Sequence, residues 1–200
     1  MNMLNKSAIV IGAGIAGLSI ARALAVRGYK VKVIDREQKA VGASVRNFGM
    51  VWPIGQPAGD AYETAMLSRH LWKELADDAG IWYEEAGSLH LAYEKDERKV
   101  LDELKDIYKN RDYHLLDTEE VLKRSPAVVP GKLIGGLYTK EELILDPRQA
   151  IARIPLWLAE KFGMEFLWGK AVTAVNYPSV VAGTESWQAD EIYLCSGADF

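Results

Sequence analysis

Glycine residues with the spacing of a phosphate-binding loop lie close to the N-terminus. Gly12, Gly14 and Gly17 stand between a short apolar run and a helical pattern. Glycine at the first position permits a tight turn, at the second lets a pyrophosphate approach the backbone, and at the third lets the helix pack closely on the strand. The helix begins with Ile15 and Ala16, whose unpaired N–H groups and positive dipole end favour an anion. This segment is predicted to bind the pyrophosphate of a dinucleotide; a glycine-rich corner without a ligand is the alternative.

The residues that follow this loop distinguish between two dinucleotides. Asp35, at the end of the next predicted strand, is expected to bind a ribose hydroxyl pair, and its charge disfavours a 2′-phosphate. In a domain that binds NAD, another helix and strand should follow promptly. Instead, residues 36–60 carry four glycines and two prolines without a helical period, and such long loops are usually functional. A loop of small residues can lie along a ligand that extends past the pyrophosphate. This favours FAD as the cofactor and leaves an NAD-linked dehydrogenase as the alternative.

Alternating strands and helices must position these residues. Residues 7–11 form a β-branched apolar run typical of a strand buried on both faces, residues 15–27 have a helical period, and residues 29–34 alternate towards a second strand. A strand–helix–strand unit with short joints implies a parallel pair with a right-handed crossover. The fold class is therefore predicted to be α/β, with a Rossmann-like FAD-binding domain built on a parallel sheet.

The remaining elements divide the chain into predicted segments. Helices are expected at 60–79, 96–110, 117–125 and 147–162, and strands at 81–84, 88–93, 133–139, 165–168, 171–177 and 191–195. Asp146 is expected to be the N-cap of the last helix, with Pro147 at its first position and Gly163 closing it. We predict that residues 1–82 and 146–200 form the FAD-binding domain, interrupted at 83–145 by part of a mixed α+β substrate domain.

Composition excludes several classes of protein. The 200 residues carry 24 Lys and Arg against 28 Asp and Glu, a net charge of −4, so no basic stripe is present for nucleic acid. One cysteine rules out an internal disulfide, and with three histidines it is too small a set for a structural zinc site, so no metal is expected. The uncharged stretch at 7–21 is shorter than the roughly 20 residues that span a bilayer. No integral membrane segment is therefore expected, and the default location is cytoplasmic.

Three other residues could do chemistry, and each also has a structural explanation. His90 shares a predicted strand face with Ser88, a position more typical of a structural histidine than of a catalytic one. Trp52 follows the glycine-rich loop and would either line a substrate pocket or fill the core. Cys195 is expected inside a buried strand, which favours an inert thiol. No acid or base has a convincing catalytic constellation, so the catalytic residues are left unassigned.

Several of these motifs together resemble one family. The glycine triad, an acidic residue followed by Arg36, the GAS…GM loop, and the segments GSLHLA, LDPRQA and DEIYLCSGA resemble the flavin-dependent amine oxidases and dehydrogenases. This family is typified by D-amino acid dehydrogenase, glycine oxidase and sarcosine oxidase. The segment SVRNFGMVWPIGQP looks most like an uncharacterised branch of this family that is often associated with phosphonate utilisation. The resemblance covers this whole chain but only the N-terminal half of the family's fold.

The resemblance implies roles for particular residues. Asp35 and Arg36 would lie at the adenosine ribose and a nearby phosphate, and Ser44 would hydrogen-bond the pyrophosphate. The other implied contacts are Asn47, Phe48, Gly49 and Met50 beside the flavin ring, Val172 at the adenine through its backbone, and Ser196, Gly197 and Ala198 over the middle of the cofactor. Gly49 stands where the sarcosine-oxidase branch has an arginine, so carboxylate binding at that position is not expected.

The resemblance also implies a reaction. A small amine or amino acid would lose two electrons from its C–N bond by hydride transfer to the flavin, and the imine would hydrolyse in water. The cofactor would carry the chemistry, and the protein would align the donor carbon. Oxygen or a quinone-type acceptor would reoxidise the flavin. Because the chain is shorter than the relatives, a non-catalytic flavin-binding or assembly fragment is a further alternative.

Overall fold

A computed structural model describes residues 6–198 of the chain. The helices are α1 Ile15–Val26, α2 Asp60–Ala79, α3 Lys95–Ile107, α4 Thr118–Arg124 and α5 Pro147–Phe162. The strands are β1 Ser7–Ile11, β2 Lys30–Ile34, β3 Met50–Val51, β4 Tyr83–Glu84, β5 Ser88–Ala92, β6 Tyr113–Leu116, β7 Gly135–Thr139, β8 Leu143–Leu145, β9 Glu165–Leu167, β10 Ala174–Asn176, β11 Ser179–Ala182, β12 Glu185–Gln188 and β13 Glu191–Leu194.

The described residues divide into two compact units. The first unit comprises residues 6–48, 75–82 and 146–198, and the second comprises residues 49–74 and 83–145. This division differs from the predicted segments at residues 49–74, which group with 83–145. The physical reason is pairing and burial: β3 is antiparallel to β8, and Ile54 packs against the buried Ala92 and Leu137.

The first unit is built on a parallel sheet in the order β13-β1-β2-β9. The predicted neighbours β1 and β2 are parallel, with Val10 opposite Val33, and β1 also pairs with β13. The central strand is buried on both faces, since Ile9 and Val10 are 1% and 0% exposed. The predicted α/β class with a parallel sheet is confirmed.

Different layers cover the two faces of this sheet. On one face, Ile9, Ile11 and Ile34 form a core cluster with Val180 and Ala189, which come from the antiparallel sheet β10-β11-β12 and the residue after it. On the other face, α1 packs against β1 and β2 and also contacts α5. The turn between β1 and α1 is therefore held at the edge where the parallel strands end, which is where ligands bind in open α/β sheets.

Helix α5 begins and ends as predicted. The Asp146 side chain accepts hydrogen bonds from the backbone N–H groups of Arg148, at 2.8 Å, and Gln149, at 3.2 Å, which makes it the N-cap. Gly163 closes the helix in the left-handed conformation with φ +65°. Asp146 is thus explained as a capping residue.

The second unit contains two antiparallel sheets, in the orders β3-β8-β4 and β5-β7-β6. Strands β6 and β8 were not predicted, because each is short and takes its partner from far along the chain. Strands β11 and β12, which pair with each other across a short turn, were also not predicted. In β5, Ser88, His90 and Ala92 lie on one face, and Ala92 is fully buried in a cluster with Ile54 and Tyr113.

Candidate cofactor site

The turn between β1 and α1 needs glycine at two positions for reasons internal to the fold. Gly12 has φ +103°, and a Cβ there would lie 2.2 Å from the carbonyl oxygen of Cys195. A Cβ at Gly17 would lie 1.9 Å from the carbonyl oxygen of Gly12. Because real atoms never approach so closely, these glycines permit the tight turn and the close packing of helix on strand. This geometry matches the tight turn predicted at Gly12 and the close packing predicted at Gly17.

Gly14 differs from the other two glycines. Its backbone is extended, with φ −70° and ψ 175°, a conformation that any residue adopts. A Cβ at Gly14 would meet only the hydroxyl oxygen of Ser44, at 3.3 Å, and otherwise open space. The fold itself therefore demands glycine much less strictly here. The space in front of Gly14 fits a group that approaches the backbone from outside, as a pyrophosphate does.

Ser44 holds the glycine-rich loop against the start of α1. Its hydroxyl oxygen accepts a hydrogen bond from the backbone N–H of Ile15 at 2.9 Å, and its carbonyl oxygen accepts one from the side chain of Asn47 at 2.7 Å. Ser44 therefore accepts a hydrogen bond from one backbone N–H group in the first turn of the helix. The amides of Ala16 and Gly17 also belong to that turn, where no helical carbonyl precedes them. The loop thus lies at the predicted phosphate site.

Asp35 is held rigidly just after β2. One carboxylate oxygen accepts the backbone N–H of Ala13 at 2.7 Å, and the other accepts that of Glu37 at 2.9 Å. Each carboxylate oxygen retains a second lone pair, so the group can still accept from a pair of ribose hydroxyls. The bond to Ala13 also links the acidic residue directly to the glycine loop.

Several predicted site residues line one cleft of about 220 Å³ in the first unit. The predicted residues that line it are Gly12, Asp35, Arg36, Val172 and Ser196, and the other lining residues are Ile11, Ile34, Lys170 and Ala171. The lining combines apolar residues, such as Ile34 and Val172, with the charged residues Asp35, Arg36 and Lys170. Such a lining fits the adenosine end of a dinucleotide.

Val172 lies in a loop, and the predicted strand at 171–177 is wrong at its start. Strand β10 begins only at Ala174. The loop is fixed at both ends, because Lys170 N–H donates to the carbonyl of Asp35 at 2.9 Å and Thr173 N–H donates to that of Val181 at 2.9 Å. Lys170 was missed by the sequence analysis. Its position two residues after the predicted strand at 165–168 was the signal that could have identified it.

None of the residues of the segment Asn47–Met50 lines that cleft. Asn47 and Phe48 line a separate cavity of about 350 Å³ with Arg46 and the N-terminus of α5, and Phe48 is 90% exposed. Gly49 has φ +69°, and Met50, in β3 of the second unit, is 54% exposed. Contact of these four residues with a flavin ring stays a prediction.

The last predicted contacts follow β13. Ser196 lines the cleft, whereas Gly197 and Ala198 form the turn beyond it, with Gly197 at φ +72°. Cys195 was predicted inside the strand, but β13 ends at Leu194 and the thiol is only half-buried. The Cys195 N–H donates to the Ile11 carbonyl at 2.7 Å and so continues the sheet. Burial raises the pKa of the Cys195 thiol, which agrees with an inert thiol.

A buried carboxylate in the second unit was also missed by the sequence analysis. Glu142 is 3% exposed, and its two oxygens accept the backbone N–H of Ile54 at 3.0 Å and the hydroxyl of Ser88 at 2.9 Å. The Ser88 oxygen lies 3.0 Å from Nε2 of His90, whose ring stacks on Trp52. Burial raises the pKa of Glu142 and lowers the pKa of His90. No sequence spacing connects residues 142, 88 and 52, so only the tertiary structure reveals this network.

Lowering the pH from about 7.5 to 5.5 is expected to destabilise the wild-type protein more than a His90→Gln variant. Burial holds the His90 pKa below its ordinary value of 6.5, so the unfolded chain binds the proton first. The stability that neutral His90 contributes is complete above pH 6.5 and is lost as the pH falls through the folded-state pKa. Urea unfolding of both proteins at both pH values measures this difference. His114→Gln, at an exposed histidine, is the control, and equal pH dependence of wild type and His90→Gln would contradict the expectation.

Two further properties concern residues 6–198. In this part of the chain, no group of three or more His, Cys, Asp or Glu side chains is arranged to hold a metal ion. None of its helices is both long enough and apolar enough to cross a membrane.

Comparison with known proteins identifies the family. Residues 7–200 match the DAO family of FAD-dependent oxidoreductases. A D-amino acid dehydrogenase of Helicobacter pylori is 25% identical over 255 residues, covering 98% of this chain and 61% of the relative, so the chain spans about three fifths of that relative's length. Among solved structures, glycine oxidase from Bacillus cereus superposes with a TM-score of 0.82 at 21% identity, covering 96% of this chain and 55% of that one. L-proline dehydrogenase from P. horikoshii superposes with a TM-score of 0.83 at 23% identity, covering 98% and 54%. The chain therefore belongs to the DAO family of FAD-dependent oxidoreductases, and its cofactor is FAD.

Proposed function

We propose that this protein oxidises the C–N bond of a small amine or amino acid by hydride transfer to FAD. The observation that carries the proposal is the cleft beside the glycine loop, lined by Gly12, Asp35, Arg36, Val172 and Ser196. These residues come from four separate places in the chain. Their convergence at the carboxyl ends of parallel strands supports binding of the adenosine end of the cofactor there.

Each part of this proposed site has a distinct task. Asp35 would accept hydrogen bonds from the ribose hydroxyls, because the backbone donors Ala13 and Glu37 hold its carboxylate in place. The backbone at Gly14 and the first turn of α1 would receive the pyrophosphate. Ser44 would join them through its hydroxyl, which already reaches the same turn. Val172 would present its backbone to the adenine.

The segment Asn47–Met50 would lie beside the flavin ring. When bound, FAD supplies the two-electron acceptor for the hydride of the substrate. The role of the segment would be to present small groups and backbone N–H donors to the ring, where they favour the negative charge that develops. Gly49 is held at φ +69°, so a larger residue there would strain the backbone.

The substrate class is supported by what the similar proteins are named for. They include a D-amino acid dehydrogenase, a glycine oxidase and an L-proline dehydrogenase. The electron acceptor in our proposal is oxygen or a quinone, and the location is the cytoplasm. The two alternatives are a non-catalytic flavin-binding subunit and an NAD-linked dehydrogenase, which the family membership disfavours.

Anaerobic mixing of the purified protein with amines tests the proposal. The protein is expressed from its complete gene, and the cofactor released on denaturation is identified first. The panel then contains glycine, N-methylglycine, L-proline and both enantiomers of alanine. We expect released FAD, and bleaching of the flavin absorbance by at least one amine. A flavin that no amine bleaches but that remains bound would favour the non-catalytic alternative, and release of a nicotinamide dinucleotide would refute the proposal.

A further inference from the structure

The first unit contains a second cavity, of about 350 Å³, at the start of α5. Two arginines, Arg46 and Arg148, line it together with three apolar residues, Val45, Phe48 and Pro147. Its volume lies at the lower end of the range for pockets that bind small organic molecules. The cavity therefore has the size for a small ligand, and its lining has both charged and apolar parts.

Hydrogen bonds fix the backbone on both sides of this cavity. On one side, Arg46 N–H donates to the Ala43 carbonyl at 3.0 Å, and the side-chain amide of Asn47 donates to the Ser44 carbonyl at 2.7 Å. On the other side, Asp146 caps α5, and the turn Ala43–Val45 packs against this helix. The cavity is thus formed before a ligand binds, and little backbone entropy is lost on binding.

The two arginines of the cavity differ from the other arginines of residues 6–198. Each of the others has a side-chain partner, as when Arg98 pairs with Asp102 at 2.9 Å or Arg153 donates to the Gly80 carbonyl at 2.6 Å. Within the same residues, the guanidinium groups of Arg46 and Arg148 make no hydrogen bond, ion pair or ring contact. Two like charges that share a cavity repel each other, and a bound anion offsets this repulsion.

Asp146 is the only carboxylate in the lining, and its position determines the charge of the ligand. The lining carries two positive charges and one negative charge, so one monoanion balances it. Asp146 also accepts the N–H groups of Arg148 and Gln149, at 2.8 and 3.2 Å, and Pro147 has no N–H. The start of the helix therefore offers few free amides, and the guanidinium groups are the donors. Their planar forks match the two oxygens of a carboxylate.

The apolar part of the lining determines the rest of the ligand. The Phe48 side chain is 90% exposed, and Val45 and Pro147 lie beside the same space. Covering an exposed aromatic ring with an apolar group removes both surfaces from water, which is favourable. The ligand that fits this lining is a carboxylate attached to a small apolar body.

We propose that this cavity binds a small organic carboxylate. Arg46 and Arg148 hold the carboxylate oxygens, and Phe48 covers the apolar body. The inference goes beyond the proposed function, because none of these contacts depends on a reaction of the flavin.

Isothermal titration of the flavoprotein, expressed from its complete gene, tests the role of the arginines. Benzoate is the probe, because it joins a carboxylate to an apolar ring, and benzamide is its uncharged counterpart. We expect benzoate to bind and benzamide not to bind measurably. Arg46→Gln and Arg148→Gln are each expected to raise the Kd for benzoate about tenfold, the size of one hydrogen bond to a charged group. Arg27→Gln is the matched control, because Arg27 is an exposed arginine of the same unit outside the cavity.

Acetate tests the apolar half of the site. It has the same carboxylate but no ring, so we expect it to bind more weakly than benzoate. Phe48→Ala should raise the Kd for benzoate about tenfold and leave the Kd for acetate unchanged, because only benzoate contacts the ring. Equal effects on both acids would contradict the role of Phe48.

Chemical modification locates the bound probe. Phenylglyoxal reacts with accessible arginines, and mass spectrometry of the digested protein measures the extent at each position. We expect benzoate to slow the modification of Arg46 and Arg148 and to leave that of Arg27 unchanged. The inference is wrong if benzoate protects neither arginine, or if both glutamine variants bind benzoate as the wild type does. Inorganic phosphate that binds more tightly than benzoate would overturn the assignment to a carboxylate.

Two sources supply such a carboxylate, an amino-acid substrate and a separate small acid. Flavin reduction by alanine at increasing benzoate concentration distinguishes them. An apparent Kd for alanine that rises with benzoate occupancy assigns the site to the carboxylate of the substrate, and an unchanged Kd assigns it to a separate acid; either result supports the site. If no amine bleaches the flavin, the proposed function fails, while titration and modification still decide whether the cavity binds a carboxylate.

Discussion

Replacing Gly14 with alanine is expected to weaken FAD binding by about a hundredfold while the protein stays folded, and Gly14→Val is expected to abolish binding. The added Cβ meets only the Ser44 hydroxyl, at 3.3 Å, which can move by the few tenths of an ångström required. It would occupy the space through which a pyrophosphate approaches the backbone, and overpacking of this kind costs about 1–3 kcal/mol. Isothermal titration of the apoprotein with FAD measures the affinity, and thermal unfolding of the apoprotein reports the fold.

Gly17→Ala provides the matched control for this experiment. The same methyl group at position 17 would lie 1.9 Å from the Gly12 carbonyl oxygen, so it disturbs the packing of α1 on β1 whether or not FAD is bound. We therefore expect Gly17→Ala to lower the melting temperature of the apoprotein, and Gly14→Ala to leave it nearly unchanged. Wild-type FAD affinity in Gly14→Ala would show that the pyrophosphate does not approach this backbone.

Arg111→Leu is expected to destabilise the protein by about 3 kcal/mol, the loss typical when a buried charged group is removed from its partners. The guanidinium is 4% exposed and lies between the rings of Tyr62, at 3.8 Å, and Tyr108, at 3.9 Å. It also donates to the Tyr113 hydroxyl at 2.9 Å and to the Gln56 carbonyl at 3.0 Å. Leucine leaves the buried Tyr113 hydroxyl and the partly buried Gln56 carbonyl without this donor. Chemical denaturation at neutral pH measures the change in free energy of unfolding.

Arg124→Leu is the comparison for this prediction. Arg124 also stacks on a tyrosine, with its guanidinium 3.7 Å from the ring centroid of Tyr138, but it is exposed to solvent. An exposed cation–π contact contributes only about 0.5–1 kcal/mol. We expect the larger loss in free energy of unfolding for Arg111→Leu, because Arg111 is buried and hydrogen-bonded. Equal losses in the two variants would mean that ring stacking alone explains the effect, and would contradict this expectation. Arg111 contacts Gln56 and Tyr62 from within the segment 83–145. Its loss should therefore also increase the mobility of the neighbouring segment that carries Trp52.

Local patterns in the sequence were sufficient to predict the elements around the cofactor site. The β-branched run before Gly12, the helical period after Gly14 and the acid at position 35 each report on neighbours only a few residues away. The same holds for α5, whose Asp146 cap and terminal Gly163 satisfy backbone groups within one turn. Strand, turn and cap preferences are local, so these elements and the parallel pairing of β1 with β2 were predictable.

Only the tertiary structure decided which distant residues meet. Lys170 and Val172 reach the cleft of Asp35 because loop 170–173 is hydrogen-bonded across the end of β2, and no local pattern encodes that contact. Strands β6 and β8 gain their stability from partners elsewhere in the chain, so their short sequences carry little signal of their own. The meeting of Glu142, Ser88 and His90 has the same origin. A buried carboxylate is retained only where the fold brings it donors, and residue 142 finds them at residues 54 and 88.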